Sequence, residues 1–178
     1  MVSPSNGLEL DFTGERVVPG KTPRLLLLEH LLRYHFAAKF VSPASRVLDT
    51  GCGTGYGTAI LAEKAGRATG IDNAWEAVQY ARRNYFLPNL CFSCADCRSL
   101  PFRDHAFDRA VVFEVIEHIL EQSECLREIR RVVAPDGVLI LSTPNPAAPV
   151  TRIEEQNPFH ARELQEHELL ELLRPHFG

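Results

Sequence analysis

Residues 47–57 read VLDTGCGTGYG, and the fold follows from how that stretch must be built. It opens on a short apolar run, passes through Asp49, and then sets glycine at positions 51, 53 and 55. Glycines at alternate positions let the backbone turn tightly and come close to a ligand, because no Cβ intrudes. The residues that follow read as the start of a helix, whose first N–H groups lack partners within the helix and can face that ligand. A strand, glycine turn and helix in this order hold nucleotide-like cofactors at the carboxyl ends of strands in open α/β sheets.

Outward from this unit, short apolar runs alternate with helical periodicity. The pattern predicts strands at 46–50, 68–72, 90–93, 109–113 and 138–142, and helices at 57–65, 75–85, 121–133 and 163–173. Such alternation implies right-handed crossovers and an α/β, Rossmann-like, mostly parallel sheet with helices on both faces. Before it, residues 1–21 read as an irregular arm, and residues 22–41 as an amphipathic helix. Leu25, Leu28, Leu31, Leu32, Phe36 and Phe40 recur there at helical spacing, with Thr22 as N-cap and Pro23 in the first turn. No repeat or linker divides the sequence. The expected organisation is one domain over 1–178: arm and helix at 1–43, cofactor-binding core at 44–145, and an acceptor-side loop and helix at 146–178.

The 178 residues are 45% hydrophobic and 24% charged, an ordinary balance for a domain with its own core. A formal charge of -4 argues against a strongly basic nucleic-acid binder. No apolar run reaches membrane-spanning length, and the start of the chain lacks a leader pattern. Five cysteines leave at least one outside any internal disulfide, so free thiols in a reducing, cytoplasmic setting are expected. Cys91, Cys94 and Cys97 form C-x-x-C-x-x-C without a fourth ligand nearby, and read as strand and loop thiols. Three arginines in LREIRRVV, 126–133, read as a solvated helix face.

A dinucleotide fingerprint would need glycine at position 56, which is Tyr56, so a nicotinamide cofactor is disfavoured. The spacing instead resembles the first motif of class I S-adenosylmethionine-dependent methyltransferases, D-x-G-x-G-x-G. Further segments resemble that family in the same order: GID ending at Asp72, CADCRSLPF from residue 94, FDRAVVFEVIEHI from 107, and VVAPDGVLILSTPN from 132. The resemblance implies S-adenosylmethionine as cofactor and S-adenosylhomocysteine as product. It implies a cradle of Asp49, Gly51, Cys52, Gly53 and Gly55, ribose recognition by Asp72 beside Asn73, adenine contacts at Asp96 and Cys97, and Glu114 beside the cofactor. FTGERVVPG, residues 12–20, resembles an arm in a bacterial subfamily, which would aim Arg16 at the methionine carboxylate with Glu15 orienting it.

Methyl transfer from a sulfonium needs alignment and exclusion of water more than it needs catalytic groups. A base is required only when the acceptor starts protonated. Glu114, Glu117 and His118 would share one face if their segment turned helical, and His118 suits a base at neutral pH, with Glu117 beside it. No metal is required by this reading. As an alternative, Glu114, Glu117 and His118 with His160 resemble the metal-binding set of small-RNA terminal 2′-O-methyltransferases, which implies a metal-assisted RNA 2′-O-methyltransferase.

Seven strands are usual in that family and five are counted here, so the last two are expected to be missing. The fifth strand is then expected at an exposed edge, or hidden by a homodimer. The proline-rich insert at 143–160 resembles inserts of enzymes acting on small molecules, sugars or lipid-linked saccharides. The expected acceptor is a small molecule or saccharide, methylated on oxygen, with no nucleic acid or membrane partner. A catalytically silent cofactor-binding scaffold is the reading from a different class.

Overall fold

The computed structural model describes residues 10–12, 14, 16–147 and 158–177. Most of the proline-rich insert, residues 148–157, and Glu15 in the arm lie outside the described residues. The strands are β1 Arg46–Thr50, β2 Arg67–Asp72, β3 Leu90–Cys94, β4 Phe107–Phe113 and β5 Val133–Ser142. They form one sheet in the order β3-β2-β1-β4-β5, and every neighbouring pair is parallel. The helices are α1 Arg24–Ala37, α2 Tyr56–Ala62, α3 Trp75–Asn84, α4 Gln122–Val132 and α5 Glu166–Phe177.

Strand parity sorts the core into two layers. Val47, Val111 and Phe113 pack with Tyr34 and Ala37 of α1 and Leu61 of α2. Their sequence neighbours Leu48, Ala110 and Val112 point the other way, onto Cys125, Ile129 and Val132 of α4. Both sheet faces are therefore covered, and each buried Leu, Ile or Val contributes roughly 1.5–3 kcal/mol. β1 lies at the centre, with the chain stepping first to one side and then to the other. That reversal opens a crevice at the carboxyl ends of β1 and β4, the usual ligand position in such sheets.

Five expectations are corrected by the packing. The helix predicted over 22–41 forms, but its buried side carries Tyr34 and Ala37, whereas Leu25, Leu28, Leu32, Phe36 and Phe40 are exposed. Thr22 does not cap the helix: its Oγ1 accepts the Val18 N–H at 2.7 Å, and Pro23 occupies the N-cap position. β5 begins at Val133, not 138, because Val133 pairs with Phe107 before a register irregularity brings Val138 opposite Arg109. β5 pairs only with β4 and forms the sheet edge. α5 starts at Glu166 because Glu168 accepts the Gln165 N–H at 2.9 Å, the returning half of a capping box. All five cysteines are free. The arginines of α4 do more than face solvent: Arg131 pairs with Glu128 and Asp104. No helix among the described residues is long and apolar enough to cross a membrane.

Asp49 is the polar centre of the α1–α2 layer. It is fully buried on the parity of Val47, accepting from Thr58 Oγ1 at 2.6 Å and from the Tyr34 hydroxyl at 3.3 Å. It therefore braces the glycine turn from behind, beneath the residues that line the cleft. Burial raises its pKa to about 7, against the hydrogen bonds from Thr58 and Tyr34. Burial also holds the Tyr34 hydroxyl protonated and donating.

Two predictions follow from this layer. Gly57 lies against Tyr34, and a Cβ there would fall 2.0 Å from the ring. Gly57→Ala should destabilise the fold by about 1–3 kcal/mol, the usual cost of overpacking, measured by urea unfolding. The folded state also keeps a proton on Asp49 that the unfolded chain releases. The stability Asp49 leaves to the fold is thus greatest below the unfolded pKa and falls as pH rises through about 7. Asp49→Asn should flatten this decline between pH 5 and 8 by on the order of a few kcal/mol. Parallel slopes for the two proteins would contradict the assignment.

Candidate active site

The turn after β1 is held by its own backbone. Cys52 N–H donates to the Ile71 carbonyl at 2.8 Å, and Gly55 N–H to the Cys52 carbonyl at 3.0 Å. Gly51 has a φ of +71°, and a Cβ there would meet Val115 Cγ2 at 2.3 Å. Only glycine lets the turn lie against the residue that follows β4. The Asp72 carboxylate completes the arrangement: Oδ2 accepts Gly53 N–H at 2.8 Å and Oδ1 accepts Ala74 N–H at 2.9 Å. The amino-terminal arm is fastened to the same turn by Thr54 Oγ1, which donates to the Val17 carbonyl at 2.9 Å.

A cleft of about 500 Å³ lies over this turn. Its walls include Arg16, Gly51, Gly53, Asp72, Asn73, Asp96, Cys97, Glu114 and His118, so residues distant in sequence converge on it. Asp49, Cys52 and Gly55 do not line it; Cys52 and Asp49 are buried beneath the turn. Arg16 reaches the cleft but is paired with Glu76 at 3.1 Å. Asp96 sits at the mouth with Arg98, whose guanidinium lowers the Asp96 pKa by hydrogen bonding and also bridges to Glu121. Ile71, Val115, Ile119, Leu120 and Phe159 supply apolar wall that the motifs did not signal.

Residues 114–118 do not form the helix that would have put three groups on one face. Glu114 takes a left-handed backbone with φ +53°, and a single 3-10 turn, Ile116–His118, follows. The side chains diverge. Glu114 Oε1 accepts from Ser142 Oγ at 2.6 Å and lies 3.5 Å from Arg33 Nε. Glu117 turns inward, only 1% exposed, and accepts from Thr143 Oγ1 at 2.9 Å. Burial is the main cause of its pKa rising to about 7. His118 faces the cleft, with Nδ1 2.8 Å from the Phe159 carbonyl. A carbonyl only accepts, so Nδ1 carries a proton, and in the neutral ring Nε2 holds the lone pair. His160 lies beside His118, with ring centroids 5.0 Å apart. Of the four residues in the alternative metal set, Glu114 is committed to Ser142 and Arg33, while Glu117, His118 and His160 converge.

Comparison with known proteins agrees with the geometry. A methyltransferase-domain family model matches residues 48–141. A Mycolicibacterium smegmatis protein named "Probable S-adenosylmethionine-dependent methyltransferase" is 37% identical over 177 residues, 97% of this chain and 68% of the relative. The O-methyltransferase cnsE of Penicillium expansum is 36% identical over 122 residues, 62% of this chain and 44% of that protein. Among solved structures, the [4+2]-cyclase SpnF superposes with a TM-score of 0.69 at 31% identity, over 82% of this chain and 56% of that one. The chain thus spans between 44% and 68% of the length of these three proteins. With the glycine turn, Asp72 and the cleft at the carboxyl edge of β1 and β4, the chain belongs to the S-adenosylmethionine-dependent methyltransferase family, whose cofactor is S-adenosylmethionine.

Proposed function

We propose that the cleft binds S-adenosylmethionine and transfers its methyl group to a hydroxyl of a small-molecule or saccharide acceptor, leaving S-adenosylhomocysteine. The observation that carries this reading is the convergence of Gly51, Gly53, Asp72, Asp96, Glu114 and His118 on one cleft. The cleft volume of about 500 Å³ lies within the range of small-molecule sites. The lining also fits the chemistry of the cofactor. Gly53 has open space where a Cβ would be, so an adenosyl amino acid can approach the backbone. Each Asp72 oxygen uses one backbone N–H and retains accepting capacity for ribose hydroxyls. Asp96 and Cys97 line the part of the cleft we assign to adenine, and Glu114 the part we assign to methionine.

When bound, the cofactor supplies a methyl already activated by positive sulfur. The residues of the chain align the acceptor and exclude water. His118 handles the acceptor proton: its Nδ1–H is fixed on the Phe159 carbonyl, which aims the Nε2 lone pair for proton removal. Oxygen as the methylated atom is supported by the kinship with cnsE, an O-methyltransferase. One observation favours a second reading, in which the cofactor is held without methyl transfer: a relative on the same scaffold is a [4+2]-cyclase.

Calorimetric titration should show binding of S-adenosylhomocysteine, weakened at least tenfold by Asp72→Ala. A screen of hydroxylated acceptors with methyl-labelled cofactor should then find transfer. On a found acceptor, His118→Ala should lower kcat by about 10²–10⁴-fold, the typical worth of a positioned base. Cofactor binding without transfer to any acceptor favours the second reading. Folded protein with no affinity for the cofactor or its product removes both.

A further inference from the structure

We infer that Cys97 is an oxidation site: a peroxide converts its thiol to a sulfenic acid, Cys125 closes a disulfide with it, and the part of the cleft assigned to adenine stays shut until a dithiol reduces the bond. The consequence for the cofactor rests on the methyl-transfer reading, but the pairing of the two sulfurs does not. Cys97 lines the cleft and is half-buried, so a small oxidant entering the cleft meets its side chain. Cys125 is fully buried near the start of α4, and Cys97 packs against the apolar cluster to which Cys125 belongs.

The loop after β3 is fastened to α4 on both sides of this pair. Arg98 Nη1 donates to Glu121 Oε2 at 2.8 Å, and Leu100 N–H donates to Glu128 Oε2 at 2.9 Å. Arg131 Nη2 adds a bond to the Leu100 carbonyl at 3.0 Å. Positions 121, 125 and 128 are separated by four and then three residues, so they stand on one row of the helix. Cys125 therefore lies on the row that the loop is bonded to, between its two anchors. Cys97 directly precedes Arg98, the first of the anchored loop residues, and the two thiols hydrogen-bond to each other.

The two sulfurs differ in reactivity. The hydrogen bond from the Cys125 thiol, aided by the Arg98 charge, holds the Cys97 pKa below the ordinary thiol value despite burial. The same bond, together with burial, pushes Cys125 up. The thiolate is the nucleophile, so Cys97 reacts first. Burial pushes Cys52 up as well, while the Cys91 and Cys94 thiols donate to the carbonyls of Ala68 and Asn73. In the first step the Cys97 sulfur attacks one peroxide oxygen. An S–O bond forms, the O–O bond breaks, and the departing oxygen takes the thiol proton and leaves as water. In the second step the Cys125 sulfur attacks the Cys97 sulfur. The S–S bond forms, the S–O bond breaks, and the hydroxyl leaves as water with the Cys125 proton. The thiol pair loses two electrons and the peroxide gains them. A disulfide holds its sulfurs about 2 Å apart, closer than two thiols in contact. Cys97 is thereby drawn toward α4, and Asp96 and Arg98 shift with it at the cleft wall.

The test treats the full, reduced chain with hydrogen peroxide and digests it without reductant. A linked pair of peptides carrying Cys97 and Cys125 should appear, and dithiothreitol should abolish it. S-adenosylhomocysteine affinity should fall at least tenfold in the oxidised protein and return on reduction. S-adenosylhomocysteine bound beforehand should cover Cys97 and slow the linkage. Cys125→Ala should halt at the sulfenic acid, trapped by dimedone, and its reduced form should bind S-adenosylhomocysteine within twofold of the parent, which shows that it folds. Cys97→Ser should leave Cys125 unreacted. Absence of the linkage in folded, peroxide-treated protein overturns the inference. So does linkage of Cys97 to Cys94 instead, or a Cys97–Cys125 disulfide that leaves S-adenosylhomocysteine affinity unchanged. If the disulfide forms but the reduced protein does not bind S-adenosylhomocysteine, the oxidation site stands and the methyl-transfer reading falls.

Discussion

The Asp72 carboxylate, clamped by two backbone N–H groups, is the contact on which the site depends. By holding Gly53 it fixes the turn after β1, and by holding Ala74 it fixes the entry into α3. A carboxylate between two main-chain donors is oriented by charge-assisted bonds, stronger and more directional than neutral ones. Its remaining lone pairs are consequently presented to the cleft in a set direction. Loss of this side chain would release the turn and the entry into α3 together. The same residue holds the turn and lines the cleft.

Much of this was legible in the sequence, for reasons that can be named. Parallel strands buried on both faces read as apolar runs, so the strand centres were found. Glycines in the turn were informative because Gly51 lies where a side chain would strike Val115. The place of Asp49 was legible too: parity with Val47 already turns it toward α1 and α2. The apolar stripe on α1 was less decidable. Leucine at 25, 26, 27 and 28 offers more than one helical stripe. The choice is made by Tyr34, whose hydroxyl reaches Asp49 and whose ring packs edge-on against Tyr56 and Phe113. Nothing local to α1 records those partners. The early start of β5 was hidden for a related reason, since Pro135 and Gly137 read as a turn while Val133 pairs across the irregularity.

The segment after β4 shows where pattern reading fails at a site. Its residues have helical spacing, yet Glu114 adopts a left-handed backbone that few non-glycine residues take. Val115 must pass against Gly51, and the chain bends away from the strand at once. The bend separates Glu114 from Glu117, sending one to Ser142 and the other to Thr143. A strained backbone at the edge of a cleft is common where geometry serves function. Here it decides which acidic group looks into the cleft and which stays beneath it.

Two parts of the cleft meet at that bend. On one side, Val115 lies against the glycine turn after β1. On the other, the Glu117 carbonyl binds the backbone of Ala161 and Arg162, and so carries in the segment bearing Phe159 and His160. The glycine turn and the segment bearing His160 are therefore joined through three residues of one short turn, with little slack between them. The glycine turn lies within the residues that the methyltransferase-domain family model matches, whereas Phe159 and His160 lie beyond them. One scaffold can carry different functions, as a solved structure named for a [4+2]-cyclase, superposing with a TM-score of 0.69, illustrates.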